Sequence, residues 1–295
     1  MKNLLPQKIT GRQIAKALSG AKASANKLLP QSGQRRALQL PIPQTPFDHY
    51  RRRKLVKLLR FNELVPYRSV LEVGCGIGDL LLEIHKYQPR ELYGVDGSKE
   101  DIELARQYLE NVAVDISVAN ARSLPFPEKA FDVVFVMFEL QHILDENQMQ
   151  RVVQEACRVS RQWVVLVEDT APTAMKKRGY IRRPVGEYKD AFRKEKFHLR
   201  RAEMMDIAAS KYIFTGGSNP WHWIRWLFSP LLYLMGFPQS LMKPPTGENE
   251  LPTSRLALFL QKLSLPLVTG LDDIVKTGVG TTVMRFERER LFGRG

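Results

Sequence analysis

Acidic side chains are missing from the first 47 residues, which nevertheless carry eight lysines and arginines. More than half of the net charge of +14 therefore sits on an appendage, so the total does not by itself demand a basic surface on the rest of the chain. Cysteine is nearly absent. Cys75 and Cys157 cannot build a disulfide framework, and a reducing, cytoplasm-like compartment is expected. No apolar run is long and clean enough to span a bilayer: the strongest candidate, residues 221–235, is interrupted by His222, Arg225, Ser229 and Pro230. The five histidines are scattered, so no metal site is expected, and no internal repeat is visible. What remains is 44% hydrophobic and 26% charged, the make-up of a globular protein with one large core and additions.

The chain is organised around Leu71-Glu72-Val73-Gly74-Cys75-Gly76-Ile77-Gly78-Asp79. An apolar run ending at Val73 predicts a buried strand, and glycines at alternate positions allow a tight turn that a ligand can approach closely. The amphipathic residues 79–87 predict a helix opening from that turn, with its positive dipole end toward the same crevice. A second strand over residues 91–95 leads to Asp96, eighteen residues beyond Gly78, where a carboxylate can accept both hydroxyls of a ribose. A dinucleotide fingerprint would place its third glycine where Asp79 stands, which disfavours nicotinamide or flavin. Cys75 reads as a small residue tolerated by the turn and not as a nucleophile.

Taken in order, Glu72 to Gly78, Val95-Asp96-Gly97-Ser98, and Leu124-Pro125-Phe126-Pro127 before Phe131-Asp132-Val133-Val134 resemble the class I S-adenosylmethionine-dependent methyltransferases, across residues 48–169. The resemblance implies an α/β, Rossmann-like fold: a seven-stranded, mostly parallel sheet whose last strand is antiparallel. It implies S-adenosyl-L-methionine as cofactor, held by Glu72, Gly74, Cys75, Gly76, Gly78, Asp96 and Gly97. Asn120 and Ala121 would cradle adenine, Asn120 through its amide oxygen where most relatives have aspartate. Met137 and Phe138 would line the methionine portion. The N/D-P-P-Y/F/W run that holds a nitrogen nucleophile in many methyltransferases of DNA, RNA and protein amides is missing.

Residues 1–46 read as a basic, loosely amphipathic tail and proline-rich linker, either frayed, in contact with anionic membrane, or an organelle-targeting segment. Residues 47–204 form the predicted cofactor-binding core. It begins with a helix over 47–64 that would bring Tyr50 toward the methionine end of the ligand, unless Tyr50 is ordinary packing. Strands are expected over 112–118, 131–137, 163–167 and 197–204, and helices over 146–160 and from Arg182. Residues 205–279 are expected as a helical, hydrophobic lid inserted between strands six and seven, and 280–295 as the last strand and tail. The Trp-rich stretch 221–235 would form an apolar substrate pocket or touch a membrane.

Methyl transfer from a sulfonium needs positioning and dryness more than acid–base groups. A hydroxyl acceptor would gain from a base, for which His142 at the end of strand four is the candidate. The expected activity is methylation of oxygen or carbon on a small lipophilic acceptor. The alternatives are an RNA methyltransferase, favoured by the pI of about 9.8 but not by the location of the charge, and a non-catalytic membrane-associated protein of the same fold. Nucleic acid is thus the less favoured partner, and a cytoplasmic, possibly membrane-associated location is expected.

Overall fold

The structure is a computed structural model that describes residues 45–177, 179–215 and 255–289. Helix α1 (Pro46–Leu59) starts on a capping box: the Asp48 N–H donates to Thr45 Oγ1 and the Thr45 N–H to Asp48 Oδ2, each at 3.1 Å. The single helix expected over 47–64 is broken. Arg60 adopts a left-handed conformation at φ 46°, and a short α2 (Phe61–Leu64) follows. The break turns Phe61 into the core, where its ring meets Phe135 at 5.5 Å and Tyr87 at 5.2 Å.

Strand β1 (Ser69–Val73), helix α3 (Asp79–His85), β2 (Glu91–Asp96), α4 (Lys99–Tyr108) and β3 (Asp115–Val118) form the first half of the domain. Then come β4 (Phe131–Met137), α5 (Glu146–Val159) and β5 (Ser160–Thr170). Ser98 and Asp145 cap α4 and α5 by accepting from the N–H groups of Asp101 and Gln148. A hairpin of β6 (Met175–Lys177) and β7 (Tyr180–Arg182) precedes α6 (Val185–Lys194) and β8 (Phe197–Met204), and β9 (Gly280–Arg288) closes the sheet. The hairpin replaces the helix expected from Arg182, which starts three residues later at Val185.

The seven-stranded sheet runs β3-β2-β1-β4-β5-β9-β8. Its first five strands are parallel, and β9 lies antiparallel between β5 and β8, as expected for the last strand. Strand β4 is apolar on both faces because helices cover both. Val133, Phe135 and Met137 enter the apolar cluster with Leu55, Phe61 and Leu80, while Val134 and Val136 enter the other with Met149, Val153 and Phe192. Strand order reverses between β1 and β4, so a crevice opens at their carboxyl ends.

Of the expected lid, the described parts are α7 (Ala208–Thr215), α8 (Arg255–Gly270) and the turn Leu271–Asp273. Residues 221–235 and the tail 1–44 lie outside the described residues. Buried Asp272 ties α7 to α1: Oδ2 accepts from Tyr50 Oη at 2.8 Å and Ser210 Oγ at 2.6 Å, and Oδ1 from Ser210 N at 2.9 Å. Among the described residues no helix is long and apolar enough to cross a membrane.

Candidate active site

The loop after β1 is held from the neighbouring strand. Gly74 N and Cys75 N both donate to Val95 O, at 2.8 and 2.9 Å, which draws the turn against the end of β2. Gly76 N then donates to Asp96 Oδ2 at 2.9 Å, and Ser98 N donates to Asp96 Oδ1 at 2.8 Å. Asp96, 2% exposed, therefore joins the glycine loop to the turn after β2. A carboxylate oxygen accepts more than one hydrogen bond, so this bracing leaves acceptor capacity for ligand hydroxyls.

Two glycines show why the turn tolerates nothing larger. Gly76 has φ 52°, and a Cβ built on it would meet nothing within 4 Å, so bare backbone faces open space there. Gly78, at φ 86°, is confined: its Cβ would lie 2.5 Å from Leu109 Cδ1 and 3.2 Å from Cγ. Leu109 is itself buried. Gly78→Ala should cost about 2 to 3 kcal/mol, the sum of left-handed strain and overpacking, readable as a lower urea midpoint with unchanged m.

Beneath the loop lie two buried carboxyl groups, Glu72 and Asp79. Glu72 is fully buried, and neither of its carboxylate oxygens has a hydrogen-bond partner. Burial, reinforced by nearby Asp79 and Asp96, holds its pKa well above the usual carboxylate range. Asp79 is also buried with Oδ1 unpartnered, and burial pushes its pKa up to about 7 against the opposing pull of Arg52. An unpaired buried carboxylate is costly, so this arrangement suits a ligand that brings positive charge. The Cys75 thiol is pushed up by burial and by Glu72 and Asp96, which makes it inert, as expected for a packing residue.

On the far side of the crevice the chain leaves β4 through Phe138, a non-glycine residue at φ 53°. Such strain persists only where the surroundings impose it. Phe138 N donates to Val167 O at 2.8 Å, and Phe138 and Met137 both belong to the apolar cluster around Phe135. Met137 is fully buried and Phe138 half-buried. The following turn, Leu140–His142, hangs on two buried groups. Glu168 accepts from Leu140 N at 2.8 Å and Gln141 N at 3.1 Å. Arg183, 0% exposed, donates to Leu140 O at 3.0 Å, to Ile143 O at 2.7 Å, and through Nε and Nη2 to Glu146 Oε1.

This Glu168–Arg183 frame was not expected. Nothing local to either residue signals a contact spanning 28 or 43 positions. Arg183→Met should destabilise the chain by about 3 kcal/mol, because two buried carbonyls lose their donor, and should loosen residues 138–146. Faster hydrogen exchange confined to that loop checks the second part.

Three expected residues have contacts of their own. Tyr50 spends its hydroxyl on Asp272, so it clamps α1 to the insertion instead of reaching toward a ligand. Asn120 is exposed, and its Oδ1 accepts from Arg122 N at 2.9 Å, the geometry of a turn that consumes part of the acceptor meant for adenine. His142 is exposed at the crevice mouth, its ring edge-on to Tyr180 at 5.9 Å and its Nε2 3.4 Å from Gln141 Nε2. Gly97 and Ala121 follow β2 and β3, on the other side of β1 from β4. A Cβ on Gly97 would stand 3.9 Å from Ala119 O, and Ala121 packs on the apolar cluster under β4.

Comparison with known proteins bears on this region. Residues 70–162 match the family model described as methyltransferase domain. The uncharacterized methyltransferase YcgJ of Bacillus subtilis is 32% identical over 120 residues, covering 39% of this chain and 46% of that protein. The ubiquinone/menaquinone biosynthesis C-methyltransferase UbiE of Geobacter sulfurreducens is 30% identical over 143 residues, 45% of this chain and 53% of that protein. This chain thus spans about half the length of these curated relatives. Among solved structures, the [4+2]-cyclase SpnF superposes with a TM-score of 0.53 at 15% identity, covering 97% of this chain and 99% of that chain, a likeness of fold alone.

Proposed function

We infer that this chain, whose residues 70–162 are a class I S-adenosylmethionine-dependent methyltransferase domain, transfers a methyl group to oxygen or carbon of a small lipophilic acceptor. The observation that carries the reading is the unpartnered, buried carboxylate of Glu72 under the open backbone at Gly76, at the carboxyl end of β1. Free acids so placed are compensated by a ligand bearing both an ammonium and a sulfonium. In this reading Gly74, Gly76 and Gly78 form the cradle, with Cys75 as a packed spacer. Glu72 and Asp79 supply negative charge to the amino-acid end, Asp96 and Gly97 border the ribose, and Ala121 borders adenine beside Asn120, whose part is reduced by its own turn. Phe138, turned by its left-handed backbone and backed by Met137, walls the methionine side.

When bound, S-adenosylmethionine supplies a methyl carbon already activated by its sulfonium. The chain's own contribution is to orient and desolvate the acceptor at the mouth framed by Phe138 and Tyr180. His142, beside Tyr180, is the residue placed to take the proton of a hydroxyl acceptor. The relative UbiE, a C-methyltransferase of quinone biosynthesis, supports carbon on a lipophilic ring as one acceptor. A second reading follows from the fold being shared with a cyclase at 15% identity, because a fold does not by itself fix the reaction. Untargeted mass spectrometry of a strain lacking the chain separates the two. Methyl transfer predicts accumulation of a metabolite lighter by one methylene, and accumulation of an isomer of the normal product would favour the cyclase-like alternative.

A further inference from the structure

Most large apolar side chains of the described residues are covered, but one helix carries a row that is not. On α8, Phe259, Leu263 and Leu267 are 61%, 67% and 78% exposed, and Ile274 just beyond the helix is 77% exposed. Phe259, Leu263 and Leu267 recur every four residues and so form one stripe along the helix. On the neighbouring face Ser264 and Val268 are buried, and Val268 lies in the same apolar cluster as Leu55 and Leu59 of α1. Among the described residues, α8 is covered on that side and presents Phe259, Leu263 and Leu267 outward.

Charge identifies what fits the stripe. The sixteen residues of α8 include no aspartate or glutamate, and Lys262 stands beside Leu263. On adjoining α1, Arg53 and Lys57 are exposed, one turn apart, and neither makes an ion pair among the described residues. They edge a cavity of about 480 Å³ that is also lined by Arg52, Arg60, Phe61 and Tyr87. Glu83, the acid in that lining, is already matched by Arg52 at 3.0 Å and Lys86 at 2.7 Å. A helix with an apolar stripe and no acids, packed against a helix whose Arg53 and Lys57 make no ion pair among the described residues, has the make-up of an interfacial lipid contact.

We propose that α1 and α8 form a docking surface for an anionic lipid bilayer: Phe259, Leu263, Leu267 and Ile274 enter the headgroup boundary, and Arg53 and Lys57 meet lipid phosphates. Its residues are other than those of the basic tail and of the stretch 221–235. It fits the lipophilic acceptor inferred above without depending on it, because it is measured with neither donor nor acceptor present.

The test uses the full chain in flotation with phosphatidylcholine vesicles, with and without phosphatidylglycerol. The wild type should float with the anionic vesicles and little with the neutral ones. The double change Leu263→Asp and Leu267→Asp should remove that binding, and Arg53→Glu with Lys57→Glu should lower it by about tenfold and weaken its salt dependence. Both variants should keep the wild-type thermal midpoint and S-adenosylmethionine affinity. Flotation of the Leu263 and Leu267 variant equal to wild type would overturn the proposal. So would a fall of its thermal midpoint, which would mean that residues 221–235 cover the stripe, or loss of a wild-type dimer in sedimentation, which would assign the stripe to a second copy.

Discussion

Asp96→Ala abolishes S-adenosylmethionine binding and also weakens the fold, whereas Asp96→Asn loses most of the binding and keeps most of the stability. The reason is the double duty of this side chain. Its two oxygens accept from Gly76 N and Ser98 N, so the alanine variant leaves two main-chain donors without partners, at a cost of about 2 to 4 kcal/mol. The asparagine variant retains one oxygen for the loop but surrenders the charge-assisted bonds a ribose would receive. Calorimetric titration should show at least a 100-fold loss of affinity for both, and thermal unfolding should separate them. Unaltered affinity in the alanine variant would remove Asp96 from the site.

Glu72→Gln gives the opposite pairing, a more stable chain that binds the donor about 30- to 100-fold more weakly. The affinity loss corresponds to about 2 to 3 kcal/mol, the range of a hydrogen bond to a charged group. The gain in stability follows from linkage. Glu72 and Asp79 hold their protons more tightly when folded than when unfolded. Between the ordinary carboxylate range and about pH 7, where Asp79 titrates, the folded chain therefore binds more protons than the unfolded chain, and these groups make stability fall as pH rises. Glutamine at position 72 removes the largest share of that penalty. The thermal midpoint of the variant should exceed that of the wild type at pH 8 by several degrees, and the difference should shrink toward pH 5. Donor affinity of the wild type should rise over the same interval, since a cationic ligand favours the ionised acids. A variant less stable than wild type at pH 8 would mean that Glu72 is a structural partner after all.

Much of this arrangement is legible in the sequence, and the parts that are not have physical reasons. The bounds of β4 and the buried face of α5 follow from periodicity, because β4 buries both faces and α5 one, and their residues show it. The break at Arg60 left no trace, since neither glycine nor proline marks it. The hairpin of β6 and β7 is short and polar, so no pattern distinguishes it from loop. At the site, an acid at a strand end looks the same whether it faces a ribose or main-chain N–H groups, and Asp96 and Glu168 show both cases of the second kind. Asn120 and Tyr50 sit at positions the resemblance names, yet the Asn120 oxygen meets Arg122 N two residues on, in a local turn, and the Tyr50 hydroxyl meets Asp272, a contact that only the folded chain brings together.

The central claim is that the crevice between β1 and β4 holds a sulfonium donor over the glycine loop. The most direct measurement is a crystal structure of the full chain grown with S-adenosylhomocysteine. The account predicts the ligand at the carboxyl ends of β1 and β2, with its ribose at Asp96 and its amino-acid end toward Glu72. A ligand bound elsewhere, or a crevice closed by side chains while calorimetry still reports binding, would contradict it.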